Sequence, residues 1–241
     1  MIRKNLTGKG FGKKDYFNWR GKEVSRLEGF SDAVFAFAVT LLVVSLSVPN
    51  TFSQLMQLIK GFVAFGISFT LLILIWYTHY MFFRRYGLND RFTILINSLL
   101  LFVVLFYIYP LKFLFSLVVN QIFGSSGMII DASQSSALMI IYSAGYLVIF
   151  LIFIILYIHA YRKREGLELN TYEIFYTKYL IEVFLFHVII SFSSISAAVI
   201  GGPNSTAIAG FIYFLLGPIL SIHGWIRGKK GKTLIEALNL S

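Results

Sequence analysis

The residues that could do chemistry are the few polar ones set inside long apolar runs: Asp32, His79, Glu182 and His187, with Thr40, Trp76 and Asn97 as hydrogen-bonding groups. An ionised Asp in the middle of a membrane-length helix costs on the order of 2.5–3.5 kcal/mol unless it is partnered, so such residues serve as helix clamps or as steps in a relay. Asp32, His79 and Glu182 are the three a proton relay would draft, and an imidazole titrates between about pH 5 and 8. Neither the histidines nor the carboxylates have metal-ligand spacing such as an i, i+4 His pair. There is no G-x-S-x-G, no Gly-rich phosphate loop, no His-Glu-x-x-His and no cysteine, so nucleophilic, phosphate and thiolate chemistry have no footing and the chain does not read as an enzyme. Lys60 and Lys112 fall near the outer ends of their runs, where their stems can snorkel.

The elements that carry these residues follow from composition. Of 241 residues, 57% are hydrophobic and only 13% charged, and the mean hydropathy is +0.76. The surface of a soluble domain would not stay wet with such a composition, so this is an integral membrane protein. Its apolar runs are continuous, unlike the alternating strands of a β-barrel, and long enough to cross about 30 Å of hydrocarbon as helices. Six spans are expected, over about residues 28–48, 58–83, 92–118, 137–161, 175–200 and 207–226. Pro49-Asn50 ends the first, Pro110 is expected to kink the third, and a Gly/Ser-rich loop over 124–136 precedes the fourth. A basic leader (1–25), lacking the apolar core of a removable signal peptide, is expected to be a mobile tail or an interfacial helix. The body then covers 26–228, and a short tail covers 229–241. No internal repeat is visible.

All of the 21 Lys and Arg except Lys60 and Lys112 fall in the leader through Arg26, the 84–91 turn, the 162–178 segment and the tail from Arg227, while the alternate loops have none. In a six-span chain these segments share one side, which the positive-inside rule makes cytoplasmic. The net charge of +10 therefore expresses topology and attraction to anionic headgroups, with no nucleic-acid partner implied.

Counted from that side at about 1.5 Å per residue, Ser31, Asp32, Trp76, His79, Asn97 and Glu182 all fall in the cytoplasmic third. A hydrogen-bonded layer joining the first span to the second and third is expected, with Arg26 as cationic partner of Asp32. On the first span, Phe30, Ala33, Phe37, Thr40, Leu41, Val44 and Val48 form one stripe, while Ser31 and Asp32 fall on the other side. The small residues Ala36, Ala38, Ser45 and Ser47 flank that stripe. Read alone, it suits a lipid face, a helix interface or a pore lining.

Arg26-Leu27-Glu28-Gly29-Phe30-Ser31-Asp32 resembles the R-x-x-x-F-S-D signature that opens the first helix of the transmembrane protein 175 family of endosomal and lysosomal potassium channels. Trp76 and His79 resemble its W-x-x-H on the second span, and Asn97 and Pro110 its third-span Asn and Pro. The match is specific over the first three spans and loose afterwards. The resemblance implies an all-α fold of six transmembrane helices per subunit, assembled as a homotetramer around a central pore lined by the first helix, in the cell membrane with both termini cytoplasmic. It implies a modestly K⁺-selective channel that passes monovalent cations and has no cofactor, and no T-V-G-Y-G filter is present. It assigns Phe37, Thr40, Leu41 and Val44 to the pore, Phe37 standing where Ile or Leu is usual. Arg26, Phe30, Ser31, Asp32, Trp76, His79 and Asn97 would form the structural network around the pore helix. Two other readings remain: a secondary transporter or proton conductor using Asp32, His79 and Glu182, and a non-conducting scaffold.

Overall fold

The computed structural model describes residues 16–44, 49–123 and 131–237. Among them, every regular element is helical. The elements are α1 (Arg26–Val44), α2 (Phe52–Tyr86), α3 (Arg91–Ile122), α4 (Ala132–Arg162), α5 (Thr171–Gly201), α6 (Thr206–Phe211) and α7 (Leu216–Ala237), the last two joined by a 3₁₀ turn, Ile212–Leu215, into one rod. Five rods are long and apolar enough to cross a membrane: α2, α3, α4, α5 and the Thr206–Ala237 rod. The described part of α1 is shorter and carries Arg26, Glu28 and Asp32 in its first two turns. Val48 of the expected stripe, its flanking residues Ser45 and Ser47, the side chain of Val44, and most of the 124–136 loop lie outside the described residues, as do 1–15 and 238–241.

Local chemistry sets the ends. Ser25 and Glu28 form a reciprocal cap on α1: the Ser25 amide donates to Glu28 Oε1 at 3.1 Å and the Glu28 amide to Ser25 Oγ at 3.2 Å. The Asn170 side chain caps α5 by accepting from the Glu173 amide. Gly87 closes α2 with φ of +60°, a left-handed conformation that only glycine takes without cost, and its amide returns to Phe83 O. Pro110 does not end α3, which continues to Ile122. α7 stays helical through Ala237, into the segment expected as a short tail.

α1, α2 and α3 pack on one another, α3 packs on α4, α4 has its largest interface with α5, and the final rod rests on α5. Aromatic rings dominate the core towards the cation-rich end, where Phe82, Phe83, Tyr86, Phe153 and Tyr157 are fully buried.

The leader departs from the sequence expectation. Residues 16–25 form neither a free tail nor a helix but an irregular strap bound across the cation-rich end. Phe17 is buried against Tyr86, with ring centroids 5.5 Å apart. Gly21 lies so close to α2 that a β-carbon there would stand 2.5 Å from Phe83 O. Arg20 donates to both carboxylate oxygens of Glu173, at 3.1 and 2.7 Å, and through Nε to Leu167 O at 2.6 Å. The Asn18 and Asn170 amides complete the shell of Glu173, which has no solvent exposure. Arg84 stacks on Trp19, its guanidinium 4.7 Å from the ring centre, and donates to Gly21 O.

The turn between α2 and α3 is tied down by Asp90. Partial burial disfavours its charge, but hydrogen bonds from Thr93, Lys163 and His159 outweigh this and lower its pKa to about 2.

Two outcomes test this account. Removing one partner of a buried ion pair costs about 3–5 kcal/mol, so Arg20→Ala and Glu173→Ala should each lower the unfolding temperature in detergent. The double variant should lose much less than the sum, whereas additive losses would show that the pair is uncoupled. Because the pKa of Asp90 is depressed, its stabilisation is full above about pH 4, the unfolded value, and fades as pH falls towards 2. Asp90→Asn should flatten acid unfolding over that window, and an unchanged profile would contradict this.

Candidate pore helix and its anchoring network

Ser31, at 0% exposure, sits where α1 crosses α3. Its Oγ donates to Leu27 O at 2.7 Å and accepts from Asn97 Nδ2 at 2.9 Å. With its amide nitrogen so engaged, Asn97 turns its oxygen to His79 Nε2, 2.8 Å away. The donors therefore run one way, from His79 Nε2–H to Asn97, from Asn97 to Ser31, and from Ser31 to the α1 backbone. The chain needs a proton on His79 Nε2, and His79 Nδ1 has no hydrogen-bond partner among the described residues. All three side chains are buried, so each bond also spares a desolvated polar group.

One residue on, Asp32 accepts from Trp76 Nε1 at 2.8 Å. Arg26 is not its partner, contrary to the sequence expectation: among the described residues no ion pair links the two. Positions six apart lie about 240° around a helix and cannot meet along one face. Arg26 and Phe30 are both exposed, and neither joins the hydrogen-bond chain.

Below this layer, Phe35, Ala38 and Leu42 continue the buried face of α1 at four- and three-residue spacing. Thr40 lies nine residues from Ser31, about 180° around the helix. It is exposed, as are Ala33 and Ala36, while Leu41 is half-buried. Phe37 is 56% exposed on the same open side. The Thr40 hydroxyl donates to Ala36 O at 3.0 Å, which spends its only proton on the backbone and leaves its lone pairs outward.

Two anchors escaped the sequence reading. Lys112, expected to snorkel, donates to Leu42 O at 2.8 Å, satisfying a carbonyl in the last described turn of α1. The reciprocal cap at Ser25 is visible in the sequence as Ser-x-x-Glu. Other polar residues pair elsewhere. Glu182 accepts from His223 Nε2 at 2.9 Å and from Arg227 Nε at 2.8 Å, both on α7. His187 Nδ1 meets the Tyr146 hydroxyl at 2.6 Å and its ring stacks on Phe150. The structure thus gives Asp32, His79 and Glu182 separate partners and does not bring them together as a relay. No cluster of metal-ligating side chains occurs among the described residues.

Residues 26–107, which include Ser31, Asp32, Trp76, His79 and Asn97, match the family model described as endosomal/lysosomal potassium channel TMEM175. A protein of Marivirga tractuosa named as a potassium channel is 42% identical over 233 residues, 91% of this chain and 94% of its own length. The chain belongs to the TMEM175 family. A protein of Chamaesiphon minutus named as a potassium channel is 35% identical over 96 residues, 36% of this chain and 47% of its own length. The crystal structure of a variant of the potassium channel MtTMEM175, in complex with a Nanobody-MBP fusion protein, superposes with a TM-score of 0.79 and 41% identity, over 90% of this chain and 99% of that one. These TMEM175 relatives are channels, not enzymes.

Replacing Asn97 by Ala strands two buried partners, each costing about 1–3 kcal/mol. Asn97→Ala should therefore lower the unfolding temperature in detergent far more than Ser98→Ala, whose exposed hydroxyl bonds only its own helix. Equal shifts would remove Asn97 from its anchoring role.

Proposed function

We propose that this chain is the subunit of a homotetrameric potassium channel in the cell membrane, with the open face of α1 lining a central pore. The observation that carries the proposal is the two-sidedness of α1. Hydrogen bonds and packing hold the Ser31, Phe35, Ala38 and Leu42 face to α2 and α3, leaving Phe37 and Thr40 exposed on the opposite side. Copies of the subunit arranged around an axis would turn that face inward. The family membership supports the same reading.

In this arrangement Phe37 and Leu41 form an apolar ring that resists wetting and thereby gates, and Val44 extends it outward. The phenylalanine faces offer weak electrostatic attraction to a partly dehydrated cation. Thr40, its proton committed to Ala36 O, offers a ring of neutral oxygens. Such ligands replace a few waters of K⁺ more readily than the tightly held shell of Na⁺, which gives modest selectivity without a T-V-G-Y-G filter. The cation-rich end, with both chain termini, faces the cytoplasm and the anionic headgroups there.

Purified protein in liposomes should carry K⁺ without any coupled counter-substrate, and its reversal potential in a K⁺/Na⁺ gradient should lie towards the K⁺ equilibrium value. Thr40→Ala should move that potential towards zero while current persists. Saturating, coupled transport would overturn the channel reading, and an unchanged potential would remove Thr40 from selectivity.

A further inference from the structure

A cavity of about 420 Å³ lies between α2 and α5, floored by α3 and α4. No residue of α1 lines it, so it is separate from the face assigned to the pore. Its mouth is lateral: Leu74 and Tyr77, both on its wall, are 55% and 52% exposed. α2 and α5 are both apolar enough to lie in hydrocarbon, so the cavity opens into the bilayer and not into water.

The lining is polarised along its length. The α2 wall runs from Leu71 to Arg85, roughly 20 Å at 1.5 Å per residue. Ile75, Leu111, Val183 and Phe184 make the walls mainly apolar, with Thr78, Tyr107, Tyr146 and His187 set among them as uncharged or weakly basic polar groups, and among the described residues Arg85 is the one Lys, Arg, Asp or Glu of the lining. At the cation-rich end stands Arg85, 8% exposed, its guanidinium 4.7 Å from the Tyr176 ring centre and 5.5 Å from that of Phe17. Ring faces fix the plane of a guanidinium, and Arg85 also donates to the Tyr176 hydroxyl at 3.5 Å. The result is a long, mainly apolar slot, open sideways to lipid, ending on an oriented cation at the level where headgroups begin.

We infer that this fissure is a binding site for an anionic membrane lipid, an acyl chain lying between α2 and α5 and the phosphate of the headgroup resting on Arg85. Guanidinium and phosphate match in charge and in fork geometry. A zwitterionic lipid presents the same phosphate with a compensating cation beside it, so the site discriminates by net charge. An acyl chain also suits a slot whose walls are mainly apolar and aromatic. Bound there, the lipid joins the α2 half of the subunit to the α5 half on the membrane side.

The test is independent of ion conduction. The protein is reconstituted into phosphatidylcholine vesicles doped with phosphatidylglycerol, extracted in mild detergent, and its retained lipids are counted by native mass spectrometry. The wild type should retain phosphatidylglycerol in preference to phosphatidylcholine. Leu74→Trp, which fills the slot from its exposed edge, should lose that retention, and Val183→Trp serves the same purpose from the α5 side. Arg85→Gln should abolish the preference for the anionic lipid, while Arg85→Lys should keep it. The inference is overturned if the wild type retains both lipids equally, or if a tryptophan variant that elutes as the wild type does retains phosphatidylglycerol unchanged. It is equally overturned if a Leu74→Cys protein cross-links to a second subunit through the fissure.

Discussion

The roll of α1 about its own axis is the constraint on which the rest of the structure depends. A helix that turns about 100° per residue presents a different side chain at every step, and an apolar helix among apolar helices has little to choose between rotations. The hydrogen-bond chain from His79 through Asn97 to Ser31 removes that freedom. It has one direction, because Ser31 donates to its own helix and Asn97 can face only one way between its two neighbours. Any other roll would leave these groups unpartnered in a site that excludes water, at a cost that packing of Val, Leu and Phe cannot return. The same chain that fixes Ser31 inward sets Thr40 outward on the opposite side.

Roll is not position, and other contacts hold the helix along its length. At its start, the Ser25–Glu28 cap follows directly on a strap that is itself bound to α5 through Arg20 and Glu173 and to α2 through Arg84. At the far side, Lys112 reaches from α3 to the Leu42 carbonyl. α1 is thus fastened at both described ends and in rotation by charged or polar groups, while among the described residues its open face, with Phe37 and Thr40, makes no such bond to another helix. A surface meant to meet water and ions should be free of those bonds, since a hydroxyl already held by another helix has fewer lone pairs to lend.

Much of this was legible in the sequence. The order and placement of the helices followed from apolar runs, although α2 and the last rod run on past their expected ends, and the spacing of Ser31 against Phe37 and Thr40 separated two faces of α1. Counting turns from the basic segments put Ser31, His79 and Asn97 at one depth, and in the structure those three side chains touch. What was not legible involves partners distant in sequence. Arg26 looked like the natural mate of Asp32 because it is close along the chain, but the helix carries the two apart and Trp76 takes the bond instead. Lys112 read as a snorkelling side chain because nothing local marks a free carbonyl on another helix. The strap read as a loose basic tail because its order comes from Glu173, a residue more than 150 positions away whose capping role at α5 concealed its second role. Glu182 likewise found Arg227 and His223 only once α5 and α7 were side by side.

The central claim is that the roll fixed at Ser31 turns Thr40 towards the ion path and Ala38 away from it. Because the chain has no native cysteine, single cysteines at these two positions can be probed with a small, charged, water-soluble thiol reagent while K⁺ current is recorded. The account predicts rapid block of Thr40→Cys channels and no block of Ala38→Cys channels; block of Ala38→Cys with Thr40→Cys unaffected, or equal modification of both, would contradict it.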